Sequence, residues 1–71
     1  MKPLPFREVK RKLEAAGFSE AGQTGSHIKF VRVTASGTRT AVVPKHQNVA
    51  AGTIRSILRQ AGINSDEFDA L

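Results

Sequence analysis

The chain has 71 residues, enough for a single domain with a small hydrophobic core. It contains no cysteine, which excludes disulfide bonds and thiolate metal sites. No apolar run approaches the ~20 residues that a membrane span requires. Eleven Lys and Arg oppose six Asp and Glu, and three of those acids lie in the last eight residues. These features predict one domain over residues 1–71, cytoplasmic and without membrane contact, whose basic surface attracts polyanions such as nucleic acid.

The first predicted element is an amphipathic helix over residues 6–16. Its apolar residues recur at helical spacing: Phe6, Val9, Leu13 and Ala16. Pro5 suits the first turn, where no amide hydrogen is needed. Gly17 suits the left-handed position beyond the helix end, and Phe18 is expected to fold back onto the helix.

Three β-prone segments follow, over residues 18–23, 26–34 and 38–43, and turn residues separate them. This pattern predicts an antiparallel three-stranded meander. Side chains alternate along a strand, so the middle segment directs Ile28 and Phe30 to one face. Its other face then carries His27, Lys29, Val31 and Val33.

A second helix is predicted over residues 53–61, with an apolar stripe, an exposed side that includes Arg55, and a stop at Gly62. Ser65 is expected to cap a short acidic tail helix within residues 65–71. Two helices on one face of the sheet would leave the other face open. The predicted fold is therefore α+β, a two-layer α-β-β-β-α domain with both helices on one face of an antiparallel sheet.

The residues suited to proton transfer are few. There is no Cys, Tyr or Trp, and the two histidines are His27 and His46. Only His27 falls within a predicted strand beside a glycine-containing turn, and an imidazole exchanges protons near neutral pH. His46 falls in a loop, where it is expected to satisfy backbone groups or contact phosphate rather than perform catalysis. His27 is therefore the candidate catalytic residue.

Other chemistries fit the spacing poorly. Ser26 and His27 are consecutive in a strand and point to opposite faces, so they cannot act as nucleophile and base. The segment between the two histidines contains no acid, which leaves no plausible metal-ligand cluster. No phosphate-binding glycine motif is present. We therefore predict neither a metal nor any other cofactor.

RNA cleavage requires fewer catalytic groups of the protein, because the RNA 2′-hydroxyl serves as the nucleophile and one positioned acid or base can suffice. The candidate RNA-binding residues are Lys29, which shares a face with His27, the loop residues Lys45 and His46, and the helix residues Lys10 and Arg55. Two other interpretations remain open, a non-catalytic RNA-binding module and an interaction domain that pairs through its open face.

Three segments show a resemblance to a known family. The segment Gly25–Phe30, GSHIKF, resembles the GSHxxF motif of HicA toxins, and Val43–His46, VPKH, resembles their VPxH motif. Residues 51–63, AGTIRSILRQAGI, are similar to the helix that follows in that family. The resemblance spans almost the whole chain.

The resemblance implies a fold like that of double-stranded-RNA-binding domains. It also implies metal-independent mRNA interferase activity with the GSH histidine, here His27, as the catalytic residue. A HicB-type antitoxin would neutralise the protein. Many family members carry a basic residue shortly before the GSH motif, where this chain has Ala21–Thr24. Lys29 is expected to replace that cation in part.

Overall fold

A computed structural model describes residues 1–71 and shows one helix, three strands and two further helices in chain order. The predicted α+β order is confirmed, with element ends shifted by one or two residues. The elements are α1 (Phe6–Ala15), β1 (Ser19–Thr24), β2 (His27–Thr34), β3 (Gly37–Pro44), α2 (Ala51–Ala61) and α3 (Ser65–Asp69).

The three strands form one antiparallel sheet with β2 in the centre. Register places His27 opposite Thr24 of β1 and Pro44 of β3. A β-bulge interrupts β1 between Glu20 and Gly22, and an irregularity of this kind hinders the pairing of a further strand at that edge. His27 therefore lies at the end of the central strand, with a strand on each side.

The helices cover one face of the sheet. Fourteen buried apolar residues form a single cluster, in which Ile28 and Phe30 of β2 pack with side chains of α1 and α2. Burial of an aliphatic or aromatic side chain of this size stabilises the fold by roughly 1.5–3 kcal/mol. On the opposite face His27 and Lys29 are exposed, and Val33 is 81% exposed. The alternation predicted for β2 is confirmed.

Both long helices begin at the His27 end of the sheet. The Phe6 N–H at the start of α1 donates to the carbonyl of His46 at 3.3 Å. α2 follows β3 after a short loop and runs back along the sheet to Gly62, which lies against the Arg39 guanidinium. The positive N-terminal ends of both helix dipoles therefore point toward the end that carries His27.

A glycine follows the C-terminal end of each long helix, as predicted. Gly17 and Gly62 adopt φ of 95° and 72°, the left-handed region that glycine tolerates best. The Phe18 N–H donates to the Leu13 carbonyl at 2.9 Å, so the chain folds back onto α1.

The predicted cap of the tail helix is wrong by one residue. The Asn64 side-chain oxygen accepts from the Glu67 N–H at 2.8 Å, so Asn64 is the N-cap and Ser65 the first helical residue. Lys12 is buried and holds this tail by donating to the Phe68 carbonyl at 3.0 Å, with its ammonium 5.1 Å from the Phe68 ring centre.

Candidate functional site

His27 is the first residue of β2 and is exposed on the open face of the sheet. Its imidazole makes no hydrogen bond or ion pair within the chain, so both ring nitrogens are free to contact a ligand. It borders a shallow cleft of about 530 Å³. The cleft is lined by strand residues from all three strands: Gly22, Gln23, Thr24, His27, Lys29 and Val42.

A two-residue turn between β1 and β2 places His27 in this position. Gly25 and Ser26 connect the paired residues Thr24 and His27, and Gly25 has a φ of 59°. Glycine with positive φ is preferred at the first turn position of a type II′ hairpin. The Gln23 amide also donates to the Gly25 carbonyl at 2.8 Å. The turn therefore fixes the register that brings His27 to the strand end.

Lys29 lies on the same face as His27, because the two residues are separated by one residue along β2. Strand geometry separates their Cα atoms by about 7 Å, roughly two residues of strand rise. The Lys29 ammonium has no acidic partner, and it lines the same cleft as His27. A cation and a free imidazole thus face one open cleft, an arrangement suited to a phosphate group and proton transfer beside it.

Lys45 and His46 line a second groove, which we call the flanking groove. Its volume is about 510 Å³ and its lining residues are Pro5, Phe6, Arg7, Lys45, His46 and Gln47. The loop and the start of α1 meet here. Lys45 and His46 are predicted RNA contacts, whereas Phe6 and Arg7 lie far away in the chain and match no motif.

Backbone hydrogen bonds fix this groove on two sides. Leu4 and Val49 form an isolated antiparallel bridge, which ties the loop to the segment before α1. On the other side the Lys45 N–H donates to the Ser26 carbonyl at 2.6 Å. Because Ser26 directly precedes His27, the flanking groove and the His27 cleft are held next to each other.

The remaining two predicted RNA contacts lie elsewhere. Arg55 is exposed on α2 and lines a separate cleft with Arg59 and Asp69. The Lys10 ammonium is 3.2 Å from a Glu20 carboxylate oxygen, so its charge is already paired. The structure therefore brings together His27 with Lys29 and Lys45 with His46, and separates both pairs from Arg55.

Acids near the start of α1 do not neutralise the flanking groove. Glu8 accepts two hydrogen bonds from Arg11, at 2.6 and 3.0 Å, and pairs with it rather than with Arg7. The hydrogen bond from Arg11 lowers the pKa of Glu8, and the carboxylate in turn raises the pKa of Arg11. Arg7 keeps an exposed guanidinium without an acidic partner.

Two further observations concern the chain as a whole. Nowhere do three or more His, Asp or Glu side chains lie close enough together to hold a metal ion. None of the helices has the length and apolar character needed to cross a membrane.

Comparison with known proteins identifies one family. The family model described as HicA toxin of bacterial toxin-antitoxin matches residues 6–63, from the start of α1 to the residue after Gly62. The match includes the GSH turn, His27 and the loop at Lys45 and His46. No curated protein matches the chain. Since the family model covers most of the sequence, the chain belongs to the HicA toxin family, whose members are toxins of toxin-antitoxin systems.

Proposed function

We propose that the protein is a metal-independent endoribonuclease that cleaves mRNA, with His27 as its general acid or base. The observation that carries the proposal is the free, exposed imidazole of His27 on an open face, beside the unpaired ammonium of Lys29. Family membership supports the toxic role.

The reaction is an internal transesterification of RNA. The 2′-oxygen attacks the neighbouring phosphorus as the bond from phosphorus to the 5′-oxygen breaks. His27 either removes the proton from the 2′-hydroxyl or donates a proton to the departing 5′-oxygen. Lys29 stabilises the negative charge that develops on the phosphate oxygens. The products are a 2′,3′-cyclic phosphate and a 5′-hydroxyl.

The test compares the purified protein and its His27→Ala variant on total RNA in the presence of a chelator. One acid-base group contributes roughly 10²- to 10⁴-fold to a rate, so we expect cleavage to fall at least about 100-fold. The variant should keep the parent melting temperature, because the side chain makes no contact that supports the core. Fragments should carry cyclic phosphate ends.

Three results would argue against this function. Equal cleavage by the variant would remove His27 from the chemistry, and loss of cleavage in chelator would show that a metal is required. Binding without new RNA ends would favour the alternative, a non-catalytic RNA-binding module. That alternative has one observation in its favour, since no carboxylate holds the His27 ring in a fixed orientation.

Toxins of this family have an antitoxin partner, and we propose a HicB-type antitoxin that covers the open face. Val33 and Val42 are 81% and 39% exposed there, and exposed β-branched side chains on a sheet favour a protein partner. We expect Val33→Lys to weaken antitoxin binding at least tenfold in titration calorimetry while RNA cleavage persists. Unchanged affinity would place the antitoxin on another surface.

A further inference from the structure

We propose that the flanking groove binds the single-stranded RNA next to the cleaved bond, holding phosphates on Arg7, Lys45 and His46 and one base against the Phe6 ring. The inference rests on the proposed function and adds to it the conformation of the RNA and two residues outside the predicted contacts. Those two residues are Phe6 and Arg7, at the start of α1.

The charges of the groove are available to a ligand. Arg7, Lys45 and His46 are exposed, and none of their side chains forms a hydrogen bond or ion pair within the chain. By contrast, Lys10 and Arg11 of the same helix are both paired with carboxylates. Unpaired cations concentrated in one groove repel each other, and phosphates would relieve that repulsion.

Phe6 supplies the aromatic surface that distinguishes single-stranded from double-stranded RNA binding. Phe18, Phe30 and Phe68 are all buried, and Phe6 is the one phenylalanine that remains partly exposed. Its ring is tilted by 43° to the Phe30 ring at a centroid distance of 6.4 Å, so packing holds it in place from the core side. A fixed ring beside cations is the arrangement on which unpaired bases stack.

The position of the groove agrees with a path for the RNA strand. The hydrogen bond from the Lys45 N–H to the Ser26 carbonyl places the groove beside the turn that carries His27. A strand whose reactive phosphate lies at His27 and Lys29 would therefore pass over this turn and enter the groove. Duplex RNA keeps its bases stacked inside the helix and could not present one to Phe6.

The experiment measures binding of a short fluorescent single-stranded RNA in the His27→Ala background, where the probe is not cleaved. Arg7→Gln should weaken binding for every sequence and reduce the slope of log K against log salt by roughly 0.7, the value for one phosphate contact on a single strand. The matched control is Arg39→Gln, which removes the same charge at the opposite end of the sheet, beside Gly62.

Phe6→Leu keeps an apolar side chain in the core and removes the aromatic ring. We expect a loss of affinity of roughly 5- to 100-fold, the range for a stacked base, with an unchanged salt slope. An abasic site moved along the probe locates that base. At the correct position the abasic probe and Phe6→Leu should not weaken binding additively, because both remove the same contact. A melting curve checks that the variant is folded.

The outcomes of this binding experiment can be distinguished from those of the cleavage test. If Arg7→Gln and Arg39→Gln change affinity and salt slope equally, the groove has no specific role even when His27-dependent cleavage is found. If groove variants lose affinity for the antitoxin but not for RNA, the groove binds protein and the proposal is wrong. If the groove effects appear but the parent protein produces no cleavage, the proposed enzymatic function fails alone. Tighter binding of duplex than of single strands would also overturn the inference.

Discussion

At the end of the sheet where β2 turns into β3, Arg32 and Arg39 are opposite each other and each lies at the end of a helix. The Arg32 guanidinium donates to the Ala16 carbonyl at 3.0 Å and sits 5.1 Å from the Phe18 ring centre, while Arg39 lies against Gly62. At the other end, the cations of the flanking groove and Lys29 have no partner in the chain.

The difference follows from the direction of the helices. A cation near a helix C-terminus is stabilised by the free carbonyl groups and by the dipole, whereas a cation near an N-terminus is disfavoured by the free N–H groups and by the dipole. Arg32 therefore contributes to folding, whereas Arg39 is exposed and its side chain forms no hydrogen bond or ion pair. Arg7 and Lys45 lie near the starts of helices, where the helix ends do not stabilise a positive charge, and this agrees with the proposed binding of an anion.

Replacement of Arg32 should give one of the two largest effects on stability at the end of the sheet where β2 turns into β3, which we call the folding end. Arg32→Met removes a charge-assisted hydrogen bond and a cation–π contact, which we expect to lower the free energy of unfolding by about 1–3 kcal/mol. Because its Nε is buried without a partner, the loss should lie toward the lower part of that range. Urea unfolding measures the change.

Arg32→Lys provides the control, since it keeps a cation near the Ala16 carbonyl and should recover part of the stability. RNA cleavage per folded molecule should match the parent in both variants. A defect in cleavage without a loss of stability would contradict the division of the sheet into a folding end and a binding end.

Gly62→Ala should give an effect of similar size. A Cβ at φ 72° costs about 1–2 kcal/mol in the left-handed region, and here it would also lie 2.9 Å from the Arg39 Cζ atom. The exposed end of the Arg39 side chain can move aside, so an Arg39→Ala background should leave this penalty nearly unchanged. A much smaller penalty in the Arg39→Ala background would show that contact with Arg39, rather than the backbone conformation, causes the loss.

The smallest effect is expected for Glu8→Gln at the start of α1. The lowered pKa of Glu8 means that its ionised form stabilises the fold above its ordinary value of 4.5, and that this contribution is lost as pH falls through the lower folded-state value. The variant should melt slightly below the parent at pH 7 and together with it in acid. Because the pair is exposed, the difference should be small, and high salt should reduce it.

Much of the fold could be predicted because local rules and tertiary packing agree. The helical spacing of α1, the alternation of Ile28 and Phe30, and the glycines at 17 and 62 each indicate the same arrangement that the core requires. The sequence predicts the tail cap at Ser65 instead of Asn64, because serine and asparagine both cap helices well and adjacent candidates cannot be distinguished without the backbone.

The site was only partly predictable. His27 and Lys29 share a face by strand periodicity alone, so their proximity follows from the sequence. The contact of Phe6 and Arg7 with the loop at His46 depends on the Leu4–Val49 bridge, which links distant parts of the chain and has no local signal. Likewise, nothing in the sequence shows that Glu20 pairs with Lys10.

The shared direction of α1 and α2 also affects the rate at which the protein associates with RNA. Two aligned helix dipoles add roughly one positive charge to the end of the molecule with His27, while Asp66, Glu67 and Asp69 place negative charge on α3, which packs against α2. The molecule therefore has an electric polarity as well as a net charge. Near a polyanion the molecule would orient its His27 end toward the RNA before contact, so a larger share of collisions would be productive. Added salt would weaken this orientation and slow association.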